Sequence, residues 1–258
     1  MKHPFCIVIP CFNSEYPYLV ELAHSLNGEC EIIDQVIWID DGSKDRKGYD
    51  QLREMLIDDR MHQFFSLEKN EGVAYAINYG ISLANKNSYI ITMGSDDIFA
   101  KGYIQKVRTL FDKYPYIDIV VPQIECIGAK TGVVDPLLRK GLNIFKFFKK
   151  NRAFAASAFR KSIWEKVGGF DETLRGSYED WDFWFRCASF GASFYSLKEI
   201  GYYYRIRKNS LSSSIDNKIA KKKLIKKWIS LLITMFFRNP VFLLKNIKMK
   251  VYEVLSHL

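Results

Sequence analysis

The chain has 258 residues, 48% of them apolar, with only 15 Gly and 7 Pro. It can therefore bury a substantial core, which excludes a disordered or collagen-like chain. At roughly 100–200 residues per domain, the length fits one large domain or a domain with an appendage, not a repeat array. The net charge of +9 is confined to one end: residues 218–258 hold ten basic residues against the single acid Glu253, and residues 1–217 carry 28 of each sign. A neutral body with a cationic end argues for a local contact with something anionic, and no nucleic-acid partner is expected.

Phe5 to Ile9 is a β-branched run ended by Pro10, residues 15 to 27 read as a helix, and Val36 to Ile39 is a second strand closed by Asp40-Asp41-Gly42. Asp45 can cap a helix reaching about residue 58, Gln63 to Leu67 is a strand, Gly72 to Ala84 a helix, and Tyr89 to Met93 a strand ending in Gly-Ser-Asp-Asp. A helix from about Gly102 to Tyr114 and a strand from Ile117 to Val121 continue the alternation. Such a pattern predicts a parallel, doubly wound α/β sheet with ligands beyond the carboxyl ends of its strands, where Asp40/Asp41 and Asp96/Asp97 both fall.

The regularity then fades. Residues 138–152 read as a mobile loop or an interfacial helix, followed by the strand-like AFAASAFR, a helix from Lys161 to Val167, a Gly168-Gly169 stop and a helix from Glu179 that ends before Gly191. Ser193 to Leu197 and Tyr202 to Arg205 can close a mixed sheet, which places the end of the body at residue 217 and a basic tail over 218–258. Asn239-Pro240 divides this tail into two amphipathic helices, with Leu224, Ile225, Trp228, Ile229 and Leu232 on one apolar face and Leu244, Ile247, Val251, Val254 and Leu258 on the other. The longest uncharged run, Trp228 to Phe237, is about half of the ~20 residues that span a bilayer, so the tail is expected to lie on a membrane rather than cross it.

Five cysteines without a C-x-x-C pair fit a reducing compartment, and the apolar run at the N-terminus is too short for a signal peptide, so a cytoplasmic protein is expected. The four histidines are scattered without metal-ligand spacing. No Walker loop, Gly-x-Gly-x-x-Gly or nucleophile elbow is present, and ATP hydrolysis, hydride transfer and acyl transfer lack their parts.

The acids admit a bland and a chemical reading. Asp40-Asp41-Gly42-Ser43 serves as a turn before a helix, or as a carboxylate site for a base N–H or a ribose hydroxyl. Asp96 and Asp97 form an exposed acidic turn, or a pair that a hard cation such as Mg²⁺ would join to phosphate oxygens. Glu179 and Asp180 are ordinary first-turn acids, or hold a general base at a helix N-terminus, while Asp182 and Arg186 are spaced for an i, i+4 pair.

Taken in order, Ile7-Val8-Ile9-Pro10-Cys11-Phe12-Asn13, Ile39-Asp40-Asp41-Gly42-Ser43, Asn70-Glu71-Gly72-Val73-Ala74 with Asn78 and Gly80, Gly94-Ser95-Asp96-Asp97, Gly168-Gly169-Phe170-Asp171-Glu172 and Glu179-Asp180-Trp181-Asp182 with Arg186 resemble the family-2 glycosyltransferases over residues 4 to 214. The resemblance implies a GT-A fold and an inverting transfer of a sugar from a nucleotide-diphosphate sugar, a UDP-sugar first, with Mn²⁺ or Mg²⁺. It assigns Asp180 as the base, Asp97 as the metal ligand, Glu179 and Trp181 to the acceptor side, and Pro10, Asn13, Asp41, Asn70, Gly72 and Asp96 to the donor. Two departures stand out: Gly94 replaces a further acid, and Arg207 replaces a histidine, so a guanidinium can pair with the diphosphate there.

The expected acceptor is a glycan or a lipid-linked hydroxyl, reached from the inner face of the plasma membrane through an anionic surface that binds residues 218–258. The tail's stripes can instead pack on the body or form a dimer interface. Competing classes are a sugar-phosphate nucleotidyltransferase, which wants a cationic glycine-rich loop where Pro10-Cys11-Phe12-Asn13 stands, and a non-catalytic membrane- or glycan-binding module.

Overall fold

Strand β1 (Phe5–Cys11) is buried along nearly its whole length because parallel neighbours flank it on both sides. A continuous apolar run is what a strand covered on both faces requires. With β2 (Gln35–Asp40), β3 (His62–Ser66) and β4 (Tyr89–Thr92) it forms the parallel order β3-β2-β1-β4, connected through α1 (Tyr16–Leu26), α2 (Lys47–Met55) and α3 (Val73–Leu83). This half follows the predicted alternation closely. The computed structural model describes residues 3–136, 138, 143–175, 178–207, 218–248 and 250–252. The predicted loop residues 208–214, together with Val254 and Leu258, lie outside the described residues.

After β4 come the short β5 (Ile98–Phe99), helix α4 (Tyr103–Lys113), β6 (Ile119–Gly128) and its hairpin partner β7 (Gly132–Val134). β8 (Ala158–Arg160) inserts antiparallel between β4 and β6, which makes the sheet mixed. Only the end of AFAASAFR is a strand. α5 (Lys161–Val167) stops at Gly168 in a left-handed conformation, and α6 (Glu179–Ser189) starts after Tyr178, which also has a positive φ of 67°.

The two short strands expected at 193–197 and 202–205 are one strand, β9 (Ser193–Ile206), parallel to β6. Lys198 and Glu199 in its middle are exposed and fall where the register against β6 shifts, between Ser196 and Ile200, after which the pairing resumes. The 138–152 segment is neither mobile loop nor interfacial helix where described: Ile144–Phe148 is a 3₁₀ turn that sends Ile144 and Phe147 fully into the core.

The tail also departs from expectation. α7 (Lys218–Arg238) buries Leu224, Trp228 and Leu232 in the same hydrophobic cluster as Phe183, Trp184 and Phe185 of α6, while Ile229 of the predicted stripe stays exposed. Asn239 caps α8 (Pro240–Asn246) by accepting from Phe242 N–H at 2.9 Å. The second helix is far shorter than its stripe predicts, because Lys250–Tyr252 forms β10, parallel to β9. A β-branched residue facing an unpaired strand edge gains more by joining the ladder than by extending a short helix.

Candidate functional site

Two loops at the carboxyl ends of β1 and β2 are locked together by short polar side chains. Asn13, at φ 48°, accepts from Lys44 N–H (3.0 Å) and Asp45 N–H (3.1 Å), and its own N–H donates to Ser43 Oγ at 2.7 Å. Pro10 pairs opposite Ile39 just inside the same mouth. Asp41 accepts from Glu71 N–H (2.8 Å), Gly72 N–H (3.0 Å) and Asn70 Nδ2 (3.1 Å). Burial pushes its carboxyl up, and the two backbone N–H groups oppose that shift. Gly72, the α3 N-cap, sits at φ 99°, a conformation that L side chains rarely adopt. At Gly42 a Cβ would meet the Lys69 carbonyl carbon at 2.2 Å, so the two loops could not approach. Asp40 is fully buried, with the Arg46 guanidinium 3.5 Å from Oδ2.

The second acidic pair follows β4. Asp97 is buried and accepts from Arg205 N–H at 2.8 Å, while Arg205 Nε donates to the Asp96 carbonyl at 2.8 Å. Arg207, one residue past the end of β9, lies 2.9 Å from Asp96 Oδ2 and 3.2 Å from Glu15 Oε1. Both guanidiniums sit over the Tyr18 ring, at 4.7 and 5.6 Å. Tyr18, Arg205 and Arg207, with Glu15, Gly128 and Ala129, line a cavity of ≈ 560 Å³ beside the acidic pair. Burial holds the Asp97 carboxyl well above the usual range, and neighbouring Asp96 adds to the shift.

Gly94 matters here through what it lacks: a Cβ would stand 3.0 Å from Asp97 Oδ2 and 3.4 Å from Asp96 Oδ1, so both carboxylates fold over one bare stretch of backbone. Among the described residues no three His, Cys, Asp or Glu side chains form a cation cage. The donor set fits a hard divalent cation in its minimal form, one or two carboxylates with phosphate oxygens and water completing the shell.

Asp180 opens α6. Its Oδ1 accepts from Trp181 N–H at 2.7 Å and its Oδ2 from Asn151 Nδ2 at 2.9 Å. Burial raises its carboxyl from 3.8 to about 6, against the pull of these donors. Glu179 is half-buried beside it, and Trp181 turns into the seam between α6 and α7, edge-on to Tyr178 (5.5 Å) and Trp228 (5.8 Å) with Lys221 Nζ 5.0 Å over its ring. Asp97 and Asp180, from loops distant in sequence, both bear electrostatically on the buried Tyr202 hydroxyl.

The i, i+4 pair of Asp182 and Arg186 forms at 2.7 Å, but it is half of a larger node. Asp182 Oδ1 also accepts from Lys227 Nζ (2.8 Å) and Trp228 Nε1 (2.9 Å), and Lys227 reaches Asp171 Oδ2 at 2.5 Å. Asn78 is a staple: its side chain accepts from Phe170 N–H and Trp164 Nε1 and donates to Glu172. Sequence reasoning missed Arg205, Asn151, Lys227 and Trp228. The i, i+2 spacing of Arg205, at the end of β9, and Arg207, just past it, was a usable signal; nothing local pointed to Asn151.

A solved structure, Staphylococcus aureus TarS 1–349 in complex with UDP-GlcNAc, superposes with a TM-score of 0.74 at 19% identity, covering 89% of this chain and 66% of that one. The mixed, mostly parallel sheet with acid-bearing loops at its strand ends is accordingly the GT-A fold. The chain belongs to glycosyl transferase family 2, whose profile matches residues 6–195. An uncharacterized glycosyltransferase of Haemophilus influenzae is 26% identical over 184 residues, 69% of this chain and 59% of that protein. The minor teichoic acid biosynthesis protein GgaB of Bacillus subtilis is 24% identical, over 100% of this chain and 28% of its own length. This chain thus spans less than two thirds of either relative. Family membership removes the nucleotidyltransferase alternative.

Proposed function

We propose that residues 1–217 are the catalytic body of an inverting glycosyltransferase that moves a sugar from a nucleotide diphosphate, UDP first, to a hydroxyl of a glycan or lipid-linked acceptor. The observation that carries this reading is Asp180: a carboxylate at a helix start, poised at about 6 by burial, within electrostatic reach of the same tyrosine as Asp97. A base with a pKa near working pH combines the correct protonation state with proton affinity.

Asp41 fixes the 70–72 loop as one wall of the nucleoside mouth, with Pro10 and Asn13 opposite. Asp96, Asp97 and Arg207 face the diphosphate, Arg207 exchanging its carboxylate partners Glu15 and Asp96 for phosphate oxygens. Mn²⁺ or Mg²⁺ held by Asp97, with Asp96 beside it, would neutralise the leaving diphosphate when bound. Asp180 takes the acceptor proton as that oxygen bonds to the anomeric carbon from the face opposite the departing phosphate oxygen. The old C–O bond breaks with its electron pair going to the diphosphate, and configuration inverts. Glu179 lies on the acceptor side of this carboxylate.

UDP-GlcNAc bound to the TarS structure supports the choice of donor, and the teichoic acid relative supports a cell-surface polymer as the product. No helix among the described residues is long and apolar enough to cross a membrane. The basic tail suits work at the cytoplasmic, anionic face of the plasma membrane.

The test is thermal unfolding of the full chain with nucleoside diphosphates and nucleotide sugars, with and without Mn²⁺ or Mg²⁺, followed by nucleotide release from the donor that binds. A nucleotide present at a hundredfold its Kd should stabilise the protein by about 2.7 kcal/mol. If no nucleotide of any base shifts the transition, the proposal fails.

A further inference from the structure

Helix α7 has two apolar faces, and the body covers one. Leu224, Trp228 and Leu232 recur every fourth residue and are buried against α6. On the adjoining face Ile229, Ile233, Phe236 and Phe237, also at helical spacing, remain between 46% and 80% exposed, as do Val241 and Leu244 of α8. Seven of the fourteen exposed large hydrophobic residues among those described fall within 219–244, so this is a concentration and not scatter. Lys222 and Lys226 stand seven residues before Ile229 and Ile233, which places them on the same exposed face, and Arg238 and Lys245 are exposed nearby.

We infer that this face docks α7 flat in the headgroup region of an anionic bilayer, with Ile229, Ile233, Phe236 and Phe237 entering the acyl boundary and Lys222 and Lys226 meeting lipid phosphates. Charge selects the occupant. A second copy of this chain would set one row of lysines against another, whereas an anionic surface neutralises it. The inference deepens the proposed function, on which it rests for the kind of acceptor. Trp228 and Lys227 fasten α7 to Asp182 of α6, so a docked α7 holds the helix of Asp180 at a fixed height above the headgroups, where a lipid-linked hydroxyl would be presented.

The experiment is flotation of the full chain with vesicles of phosphatidylcholine alone or with one third phosphatidylglycerol. Phe236→Ser/Phe237→Ser and Lys222→Glu/Lys226→Glu are compared with the parent, and UDP binding and unfolding temperature are read on the same preparations. The parent should float only with phosphatidylglycerol vesicles, and each double variant should bind them about tenfold or more weakly while unfolding and binding UDP like the parent. Parent-like flotation of both variants overturns the assignment. So does a parent that ignores vesicles but runs as a dimer that Phe236→Ser/Phe237→Ser splits. Loss of vesicle binding with UDP binding intact in the parent would sink docking alone; vesicle binding without nucleotide binding would sink the transferase reading alone.

Discussion

Asp180 is a carboxylate that folding penalises. Its pKa is about 6 in the folded protein against an ordinary 3.8, so the folded state binds more protons than the unfolded one between those values. Stability is therefore free of the penalty below the lower value, falls as pH rises toward 6, and stays reduced above it. Replacing Asp180 with Asn should raise stability by about 1–3 kcal/mol at pH 7.5, with little gain at pH 4. The same variant should lose about 10²–10⁴-fold in transfer rate while holding UDP within a few fold, and parent activity should decline as pH drops through 6. Calorimetry and a pH–rate profile check both halves; full activity in the variant would remove Asp180 as the base. Arg207 provides the contrast. Its ion pairs with Glu15 and Asp96 are half exposed, so Arg207→Ala should alter stability by under ~1 kcal/mol. It should weaken UDP about tenfold and leave uridine unchanged by calorimetric titration, because a guanidinium reads phosphate and not base. Asp41, Asp97 and Asp180 were legible in the sequence because each ends a strand or opens a helix within a short motif. Arg205 and Asn151 reach these acids only through β9 pairing and a loop contact, which no local pattern encodes.

Between elements, the α6–α7 seam carries the greatest consequence. Asp182, with no solvent exposure, is held by Arg186 from its own helix and by Lys227 and Trp228 from the tail. Lys227→Met leaves one Asp182 oxygen with the indole donor alone and Asp171 with Thr173 alone. The expected cost is about 1–3 kcal/mol, since the lysine is partly exposed, with transfer slowed and Lys227→Arg recovering most of both. Burial alone would raise Asp171; hydrogen bonds from Lys227 and Thr173 overcome it and bring the carboxyl down to about 2. Its contribution is thus complete above about pH 4 and lost as pH falls through 2, and in Lys227→Met that acid-limb dependence should flatten. Strand and helix order was readable through β4 because periodicity changes cleanly from two to 3.6. Past Val121 the helices at Lys161–Val167 and from Glu179 were still legible, but the strands were not, since β9 carries Lys198 and Glu199 in mid-strand and β10 relies on an open edge far away in sequence.

At the scale of the molecule, the tail shows why an apolar stripe in a sequence does not reveal what covers it. Leu224, Trp228 and Leu232 were grouped with Ile229 by spacing, yet the first three complete the body's core and the last faces solvent. Trp228 stacks on Phe185 at 4.2 Å, lies edge-on to Phe148 at 5.6 Å and is fully buried. Cutting the chain after residue 217 therefore exposes the core along with removing the basic surface, and a loss of membrane association in that truncation would have two causes. Point variants separate them. Trp228→Ala should cost about 3–5 kcal/mol and lower the unfolding temperature sharply. Phe236→Ser/Phe237→Ser, at exposed positions, should stay within about 0.5 kcal/mol of the parent. Denaturant unfolding of both decides the matter: equal destabilisation would mean that the second apolar face of α7 is also a folding surface, and near-zero cost for the phenylalanine pair leaves that face free for a partner outside the fold.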